Sequence, residues 1–205
     1  MRTEQSKTGT SNHIQEVEKR ALLSPQQREK IIEELIQIGA KQENIVQLQD
    51  TYFCPNSVMS FSEISMDQIG AYSLRLRKLS FKEDEEVELN VKVITEEADH
   101  QEWEEHEVKV TSFQEMQAIL NIIGYKRFIS IEKVRHIFKW KELSIVVEDI
   151  LDFGHALEVE VLTTKEFTTQ AKEKIDNFLA DLGITREQIV PKSITFNIMQ
   201  ERAFF

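Results

Sequence analysis

The stretch Ser73-Leu74-Arg75-Leu76-Arg77-Lys78-Leu79 alternates leucine with arginine through its centre. Successive side chains of a β-strand point to opposite faces of the sheet. Leu74 and Leu76 therefore share one face, and Arg75 and Arg77 share the other. A sheet with one solvated face would turn the arginines to water. The stretch predicts a strand, and the direction of its arginines decides what kind of sheet surrounds it.

Pairs of like charges at i and i+2 recur elsewhere in the chain. Like charges side by side on one strand face repel unless opposite charges or ligands lie across from them. The recurrence, with both signs, predicts charged strand faces that are turned toward one another. The further pairs are Glu16 with Glu18, Glu105 with Glu107, Lys133 with Arg135, and Glu158 with Glu160.

The whole chain predicts strands with interspersed amphipathic helices. The fold class we expect is α+β, with a closed eight-stranded antiparallel β-barrel and helices packed outside, because closure removes the exposed sheet edges. The predicted strands are 13–22, 48–54, 71–79, 86–94, 104–111, 127–139, 142–151 and 155–163.

Helix start signals are clear. Ser24-Pro25-Gln26-Gln27 is a capping box with proline at the first helical position. Ser112 opens a second helix, a third runs from Glu166 to Leu182, and Thr185 starts a short fourth one.

The amphipathic helices need an apolar surface to cover. If Leu74, Leu76, Val159 and Val161 face outward beneath them, the charged faces point inward and form a polar tunnel. The alternative, a half-open sheet with its charges in water, stays open at this point.

Composition bounds the class of protein. The 205 residues carry a net charge of −11, which argues against nucleic acid as a partner. Cys54 is the single cysteine, as expected in a reducing compartment. No secretory signal and no run long enough to span a membrane are seen, so we expect a cytoplasmic protein without a membrane partner. Residues 1–12 are predicted to be a disordered N-terminal segment, and 13–205 a single domain.

Several marks together resemble the CYTH superfamily, also called triphosphate tunnel metalloenzymes. Glu16-Val17-Glu18-Lys19-Arg20 resembles the family's Glu-x-Glu-x-Lys, with arginine in the lysine position. The other marks are Gln49–Phe53, the paired arginines of Leu74–Arg77, Leu89–Lys92 where the family has Thr-x-Lys, Lys133–Arg135, and the run Val147–Glu160. Glu148 replaces an aspartate and Ala156 an aromatic residue.

The resemblance implies a clamp for a triphosphate substrate. Arginine's planar fork suits phosphate oxygens, and several cations are needed for so highly charged a ligand. The alternative is that these bases only neutralise nearby acids. The implied substrate-binding residues are Arg75, Arg77, Lys92, Lys133 and Arg135.

The resemblance also implies Mg²⁺ or Mn²⁺ as cofactor, because hard cations prefer carboxylate oxygens. The alternative is that the acids only form salt bridges with facing arginines. Catalysis is assigned to Arg20 with Glu16 and Glu18. The implied metal ligands are Glu16, Glu18, Glu148, Glu158 and Glu160, whereas Glu105 and Glu107 are weaker candidates.

Three functions are compatible with these residues. The leading hypothesis is a class IV adenylyl cyclase-like enzyme that converts ATP to cyclic AMP and pyrophosphate. The second is a triphosphatase acting on inorganic tripolyphosphate or on an organic triphosphate such as thiamine triphosphate. The third is a non-catalytic barrel that binds polyphosphate or nucleotide, which the arginine at position 20 keeps open.

The remaining features carry less weight. The five histidines lack metal-ligand spacing and are interpreted as incidental, and Tyr52 and Phe53 as core residues. The tail 194–205 alternates apolar and polar residues, which suggests an extra strand or a dimer contact. Relatives of this family often form dimers, so a homodimer is a further expected partner.

Overall fold

The computed structural model describes residues 14–60, 63–64, 68–81, 84–94 and 103–202. The predicted disordered segment 1–12 and the aromatic end Phe204-Phe205 of the tail lie outside these residues.

The described chain alternates strands with helices. The strands are β1 (Ile14–Leu23), β2 (Lys41–Pro55), β3 (Tyr72–Ser80), β4 (Glu85–Ile94), β5 (Trp103–Val110), β6 (Tyr125–Trp140), β7 (Leu143–Ile150), β8 (Gly154–Thr164) and β9 (Ile189–Val190). The α-helices are α1 (Pro25–Gln37), α2 (Phe113–Ile122), α3 (Thr168–Asp181) and α4 (Ile194–Arg202). Short 3₁₀ helices occupy Lys165–Phe167 and Arg186–Gln188.

All nine strands form one sheet in the order β5-β4-β3-β2-β6-β7-β8-β1-β9. Every pairing in it is antiparallel. The eight predicted strands are all present, and the two-residue β9 is an addition. Within the described residues no hydrogen-bonded ladder joins β5 to β9, so the expected closed barrel is not confirmed. Strand number alone does not close a sheet, since closure also needs a matching tilt and stagger.

Helices α1, α2 and α3 cover the apolar face of the sheet. Val159 and Val161 of β8 pack in one core with Ile175 of α3, and the core also includes residues of α1. Leu74 and Leu76 of β3 pack against Leu120 of α2. The leucines of the alternating stretch therefore lie beneath a helix, as the tunnel interpretation expected, and the arginines beside them face the other way.

The helix starts follow the sequence signals. The Ser24 hydroxyl accepts a hydrogen bond from the Gln27 backbone N–H, and the Gln27 side chain accepts one from the Ser24 backbone N–H. The predicted fourth helix after Thr185 is only the 3₁₀ turn Arg186–Gln188. Among the described residues, no helix is long and apolar enough to cross a bilayer.

The tail forms helix α4, so the strand alternative for it was wrong. Ile194, Ile198 and Met199 are all buried, and they lie on one side of the helix. Ile194 and Ile198 are four positions apart, which places them on the same face of a helix. Because four is an even number, the same spacing would also place them on one face of a strand, so the sequence fitted both structures. The Ser193 hydroxyl accepts a hydrogen bond from the Phe196 backbone N–H at 3.1 Å, which satisfies an early donor of the helix.

Candidate active site

The opposite face of the sheet carries the charged residues and lines a cavity of about 320 Å³, here called the charged cavity. All eleven residues predicted from the sequence line it. They are Glu16, Glu18, Arg20, Arg75, Arg77, Lys92, Lys133, Arg135, Glu148, Glu158 and Glu160. The structure brings these side chains together, and their individual roles stay predictions. Lys19 points away and pairs with Asp176 of α3.

Asp50 lies at the centre of the bases and was missed by the sequence analysis. It is 1% exposed and accepts hydrogen bonds from Arg77 Nε at 2.6 Å and Nη2 at 2.8 Å. Lys133 Nζ lies 3.7 Å and Arg75 Nε 3.9 Å from its oxygens. Burial acts to raise the pKa of Asp50, but the Arg77 hydrogen bond and the neighbouring positive charges hold it well below its usual range. One sequence feature could have indicated Asp50 as a site residue. By the period of two in β2, Asp50 shares its strand face with Leu48 and Tyr52, so a charged side chain stands on a face with two large apolar ones.

Glu148 is a second buried acid among the bases. It is 3% exposed, and its Oε1 lies 2.9 Å from Lys133 Nζ and 2.5 Å from Arg135 Nε. Burial acts to raise its pKa, but the charges of Lys133 and Arg135 outweigh burial and lower it to about 2. Although burial opposes its charge, Arg135 has a raised pKa because of the facing charge of Glu148. Glu148 is therefore charged and orients two of the predicted phosphate-binding side chains.

The ladder between β1 and β8 gathers four of the acids, here called the carboxylate edge: Glu16, Glu18, Glu158 and Glu160. Glu18 lies opposite Glu160, and Arg20 lies opposite Glu158. Burial, together with the negative charges of Glu16 and Glu158, raises the pKa of Glu160 to about 7. Crowding of like charge at this edge is the kind of imbalance that a bound cation relieves.

Arg20, at the position of the family's lysine, is engaged at the same edge. Its Nε donates to Glu158 Oε2 at 2.8 Å, and its Nη2 donates to Glu18. One guanidinium thus spans both strands of the carboxylate edge and partly offsets its charge.

The carboxylate edge suits Mg²⁺ or Mn²⁺ by its donor chemistry. Within the described residues, no three histidine, cysteine, aspartate or glutamate side chains already converge on one point as a ligand group. Mg²⁺ needs only one or two protein carboxylates when substrate phosphates and waters supply the rest. Glu16 and Glu160, which Arg20 does not bind, are the acids that fit this role best.

Near β5, the cavity wall contains polar atoms without partners. Glu105 Oε2 accepts from Lys92 Nζ at 2.9 Å, and Glu105 Oε1 accepts from the Asn90 amide. Burial acts to raise the pKa of Glu105, yet the Lys92 hydrogen bond brings it below its usual value. Among the described residues, Arg75 Nε and Asn90 Oδ1 are buried and make no hydrogen bond.

Helix α4 covers part of the charged cavity. The segment from Pro191 to Phe196, with Met199, contributes to its lining. Ile194, Ile198 and Met199 pack in one apolar cluster with Tyr52 of β2 and Ile131 of β6. The Tyr52 hydroxyl lies 3.3 Å from the Thr195 hydroxyl. The sequence analysis did not anticipate this cover, because it interpreted the tail as a strand.

Two of the histidines lie away from the charged cavity. His136 Nε2 and His155 Nδ1 contact Asp149, at 3.3 and 2.8 Å, on a surface also reached by Arg28. His13 and His100 lie outside the described residues. Phe53 packs in the core beneath α2, whereas Tyr52 both packs and lines the cavity.

The charged cavity thus combines basic side chains of β3, β4 and β6 with acidic side chains of β1, β7 and β8. The CYTH domain matches residues 15–194, and the chain belongs to this family. A protein of Methanocaldococcus jannaschii named "putative adenylate cyclase" is 29% identical over 91 residues. That match covers 44% of this chain and 52% of the relative, so it spans about half the length of that protein.

Solved structures show the same fold. A protein from Pyrococcus horikoshii superposes with a TM-score of 0.73 at 22% identity, covering 91% of this chain and 99% of that one. A Hippeastrum protein superposes with a TM-score of 0.65 at 16% identity, covering 94% of this chain and 97% of that one. The Hippeastrum protein is described as a "putative adenylyl cyclase" with a dominant triphosphatase activity.

Proposed function

We propose that this CYTH protein is a divalent-metal-dependent enzyme that binds a triphosphate in the charged cavity and converts ATP to cyclic AMP and pyrophosphate. The observation that carries the binding step is Arg75, whose buried Nε–H has no hydrogen-bond partner among the described residues. A buried donor left unpaired costs free energy, and an anionic oxygen in the cavity would satisfy it.

The segregation of charge supports a phosphate chain with its metal. The bases Arg75, Arg77, Lys133 and Arg135 lie on β3 and β6, whereas the carboxylate edge lies on β1 and β8. If the bases served only to neutralise the acids, Arg75 would be paired as fully as Arg77. A triphosphate between the two groups would meet bases on one side and, through its metal, acids on the other.

The arginines and lysines would stabilise the negative charge that develops on the leaving group during the reaction. In cyclisation, the ribose 3′ oxygen forms a bond to the α-phosphorus, the bond from that phosphorus to the bridging oxygen of pyrophosphate breaks, and one proton is released. Arg75, Arg77 and Lys133 would hold the oxygens of the leaving pyrophosphate, because preorganised donors stabilise charge without reorganising. Asp50 and Glu148 hold these bases in place before the substrate arrives.

Glu16 and Glu160 would hold the metal, with Glu18 and Glu158 beside them. The metal, when bound, would neutralise phosphate charge and orient the reacting oxygens. Arg20 would keep Glu18 and Glu158 aligned through its two hydrogen bonds. Adenylyl cyclisation itself is supported by the name of the Methanocaldococcus relative.

A second candidate is triphosphate hydrolysis, in which water attacks the terminal phosphorus and orthophosphate leaves. The dominant triphosphatase activity ascribed to the Hippeastrum protein favours it. The same clamp serves both reactions, which differ in the atom placed in line with the reacting phosphorus.

Phosphorus NMR distinguishes the candidates. Purified protein is incubated with ATP, and separately with tripolyphosphate, in Mg²⁺, in Mn²⁺ and in EDTA. Cyclic AMP with pyrophosphate supports the cyclase, and orthophosphate supports the hydrolase. Turnover that persists in EDTA contradicts metal dependence.

A matched pair of variants ties the reaction to the cavity. Arg75→Ala should abolish turnover. Arg127→Ala should not, because Arg127 is an exposed residue of β6 outside the cavity lining. Absence of turnover for every substrate and metal would contradict both enzymes and leave a binding protein.

A further inference from the structure

Large apolar side chains crowd one end of the sheet, at and beside the C-terminal end of α2. Thirteen large hydrophobic residues are exposed in the described part of the chain, and six of them belong to this region. Single exposed apolar residues are ordinary, but a contiguous group marks an interaction site. The six, here called the apolar end, are Met59, Ile69, Tyr72, Ile119, Ile122 and Ile123.

Two contacts join the three segments that carry the apolar end. The Asn56 backbone N–H donates to the Gly124 carbonyl at 2.8 Å, which fixes the loop after β2 against the end of α2. The Tyr72 and Tyr125 hydroxyls lie 3.1 Å apart, which ties the start of β3 to the same place. The exposed side chains therefore belong to one surface of the molecule.

The apolar end carries no charge, although the rest of the chain is highly charged. Residues 54–60, 68–74 and 116–125 contain no acidic or basic side chain, whereas 30% of all residues are charged. Two chains with a net charge of −11 repel each other over most of their surfaces. A charged partner surface would lose its hydration here without gaining a counter-charge. A second copy of this chain, which brings an equally neutral and apolar surface, avoids both costs.

The surface combines a projecting side chain with a hollow. Ile122 is 84% exposed. Beside it opens an apolar pocket of about 340 Å³, whose lining includes Val58, Ile64, Ile69 and Tyr72. In a twofold-symmetric pair, a residue of one copy contacts a second position of its partner, and the reverse contact forms at the same time. Two projecting side chains would therefore fill two pockets at once.

The charged group of this pocket does not oppose an apolar guest. Glu63 is the single charged residue among the described lining residues. Its carboxylate oxygens accept from the Met59 backbone N–H at 3.1 Å and from the Ser60 hydroxyl at 3.2 Å. The loop thus satisfies this carboxylate itself.

We infer that the apolar end is the contact surface of a twofold-symmetric homodimer, in which Ile122 of each copy enters the apolar pocket of the other. The inference does not depend on the reaction proposed for the charged cavity. It assigns a role to exposed residues that the proposed reaction does not use.

Sedimentation equilibrium tests the association from about 1 to 200 µM, where modest interfaces dissociate. Wild-type protein should approach twice the monomer mass. Ile122→Glu and Ile69→Glu should each raise the dimer Kd at least about 30-fold, because a central apolar contact is replaced by a buried charge. Ile36→Glu, at a 58% exposed position of α1, is the matched control and should leave the Kd within about twofold.

A mixing experiment tests the predicted pairing directly. Ile122→Lys alone and Ile69→Glu alone should both be monomeric. In a mixed dimer, one contact pairs the new lysine with the new glutamate, and the other keeps isoleucine against isoleucine. Equal amounts of the two variants should therefore recover the dimer, which also shows that both variants are folded.

Three results would overturn the inference. Wild-type protein could remain monomeric over the whole concentration range. It could form a dimer that neither Ile122→Glu nor Ile69→Glu weakens, which would place the interface elsewhere. The two variants could separate the dimer but fail to recombine on mixing, which would contradict the contact between Ile122 and the pocket.

Discussion

Asp50 and Arg77 form a two-point ion pair at the centre of the charged cavity, with Nε to Oδ1 at 2.6 Å and Nη2 to Oδ2 at 2.8 Å. Both residues are buried. A guanidinium held at two points cannot rotate freely, and Lys133 and Arg75 approach the same carboxylate. The predicted phosphate-binding side chains Arg75, Arg77 and Lys133 are therefore arranged around Asp50 by the protein itself.

Asp50→Asn should destabilise the protein by about 3 kcal/mol, because three buried bases lose a shared counter-charge. It should also lower kcat/KM at least tenfold, since the arginines lose their alignment. Urea unfolding and steady-state kinetics measure the two effects. Asp176→Asn is the control: its pair with Lys19 is half exposed, so it should cost less than about 1 kcal/mol. Equal losses in both variants would contradict a special role for Asp50.

Acid should weaken the fold through the same carboxylate. The pKa of Asp50 is lowered in the folded protein, so its contribution to stability is present above its unfolded pKa of about 4. The contribution is lost as pH falls below that value toward the folded pKa. Unfolding free energies measured from pH 6 to pH 3 should therefore fall, and the slope should be shallower in Asp50→Asn. An identical slope would show that other carboxylates carry the acid sensitivity.

Glu160→Gln should raise the stability of metal-free protein at pH 8. The pKa of Glu160 is raised by burial and by repulsion from Glu16 and Glu158. The glutamine side chain of the variant is neutral, so it removes one negative charge from the carboxylate edge. Adding Mg²⁺ should stabilise wild-type protein more than the variant, because the edge then gains its cation. Thermal unfolding in EDTA and in Mg²⁺ measures both. Glu201→Gln, an exposed glutamate of α4, is the control.

Arg20→Ala should lower kcat at least tenfold, and Arg20→Lys should recover most of it. The positive charge between Glu18 and Glu158 would be kept by lysine, although the two-point contact would be lost. Lys19→Ala changes the adjacent residue, which points to α3, and should leave kcat unchanged. A lysine variant as inactive as the alanine variant would show that the guanidinium shape, rather than its charge, is required.

Ile198→Ala should destabilise the protein by about 2–4 kcal/mol, because the side chain is 1% exposed in the cluster that joins α4 to the sheet. It should also raise KM, because α4 forms part of the cavity wall. Ile36→Ala, at a 58% exposed position of α1, should do neither. A stability loss without any change in KM would mean that α4 only packs.

Most strands could be predicted because their pattern is local. In β3 and β4 the alternation reflects the two faces of the sheet, and the predicted 86–94 differs by one residue from Glu85–Ile94. Strand β2 was predicted as 48–54 but begins at Lys41. Its first residues are exposed and polar, and only their pairing with the long β6 makes them a strand. That pairing cannot be deduced from their own side chains.

Most of the candidate site was predicted from pairs of like charges, and the family resemblance added the single charges Arg20, Lys92 and Glu148. Asp50 was missed. Glu158 and Glu160 indicate a charged face, whereas Asp50 is a single acid between Gln49 and Thr51. Its role depends on arginines from another strand. The cover formed by α4 was missed because Ile194, Phe196 and Ile198 fit both a strand and a helix, and the choice depends on where the tail meets the sheet.

Burial of the bases has a consequence for how a substrate approaches. Arg75, Arg77 and Lys133 are nearly hidden from solvent, yet the chain as a whole carries a net charge of −11. From a distance an anionic nucleotide meets a repelling field, and attraction begins only at the cavity mouth. Added salt screens the long-range repulsion more than the short-range contacts within the cavity. Capture of the anion should therefore become faster, not slower, as ionic strength rises toward the physiological range.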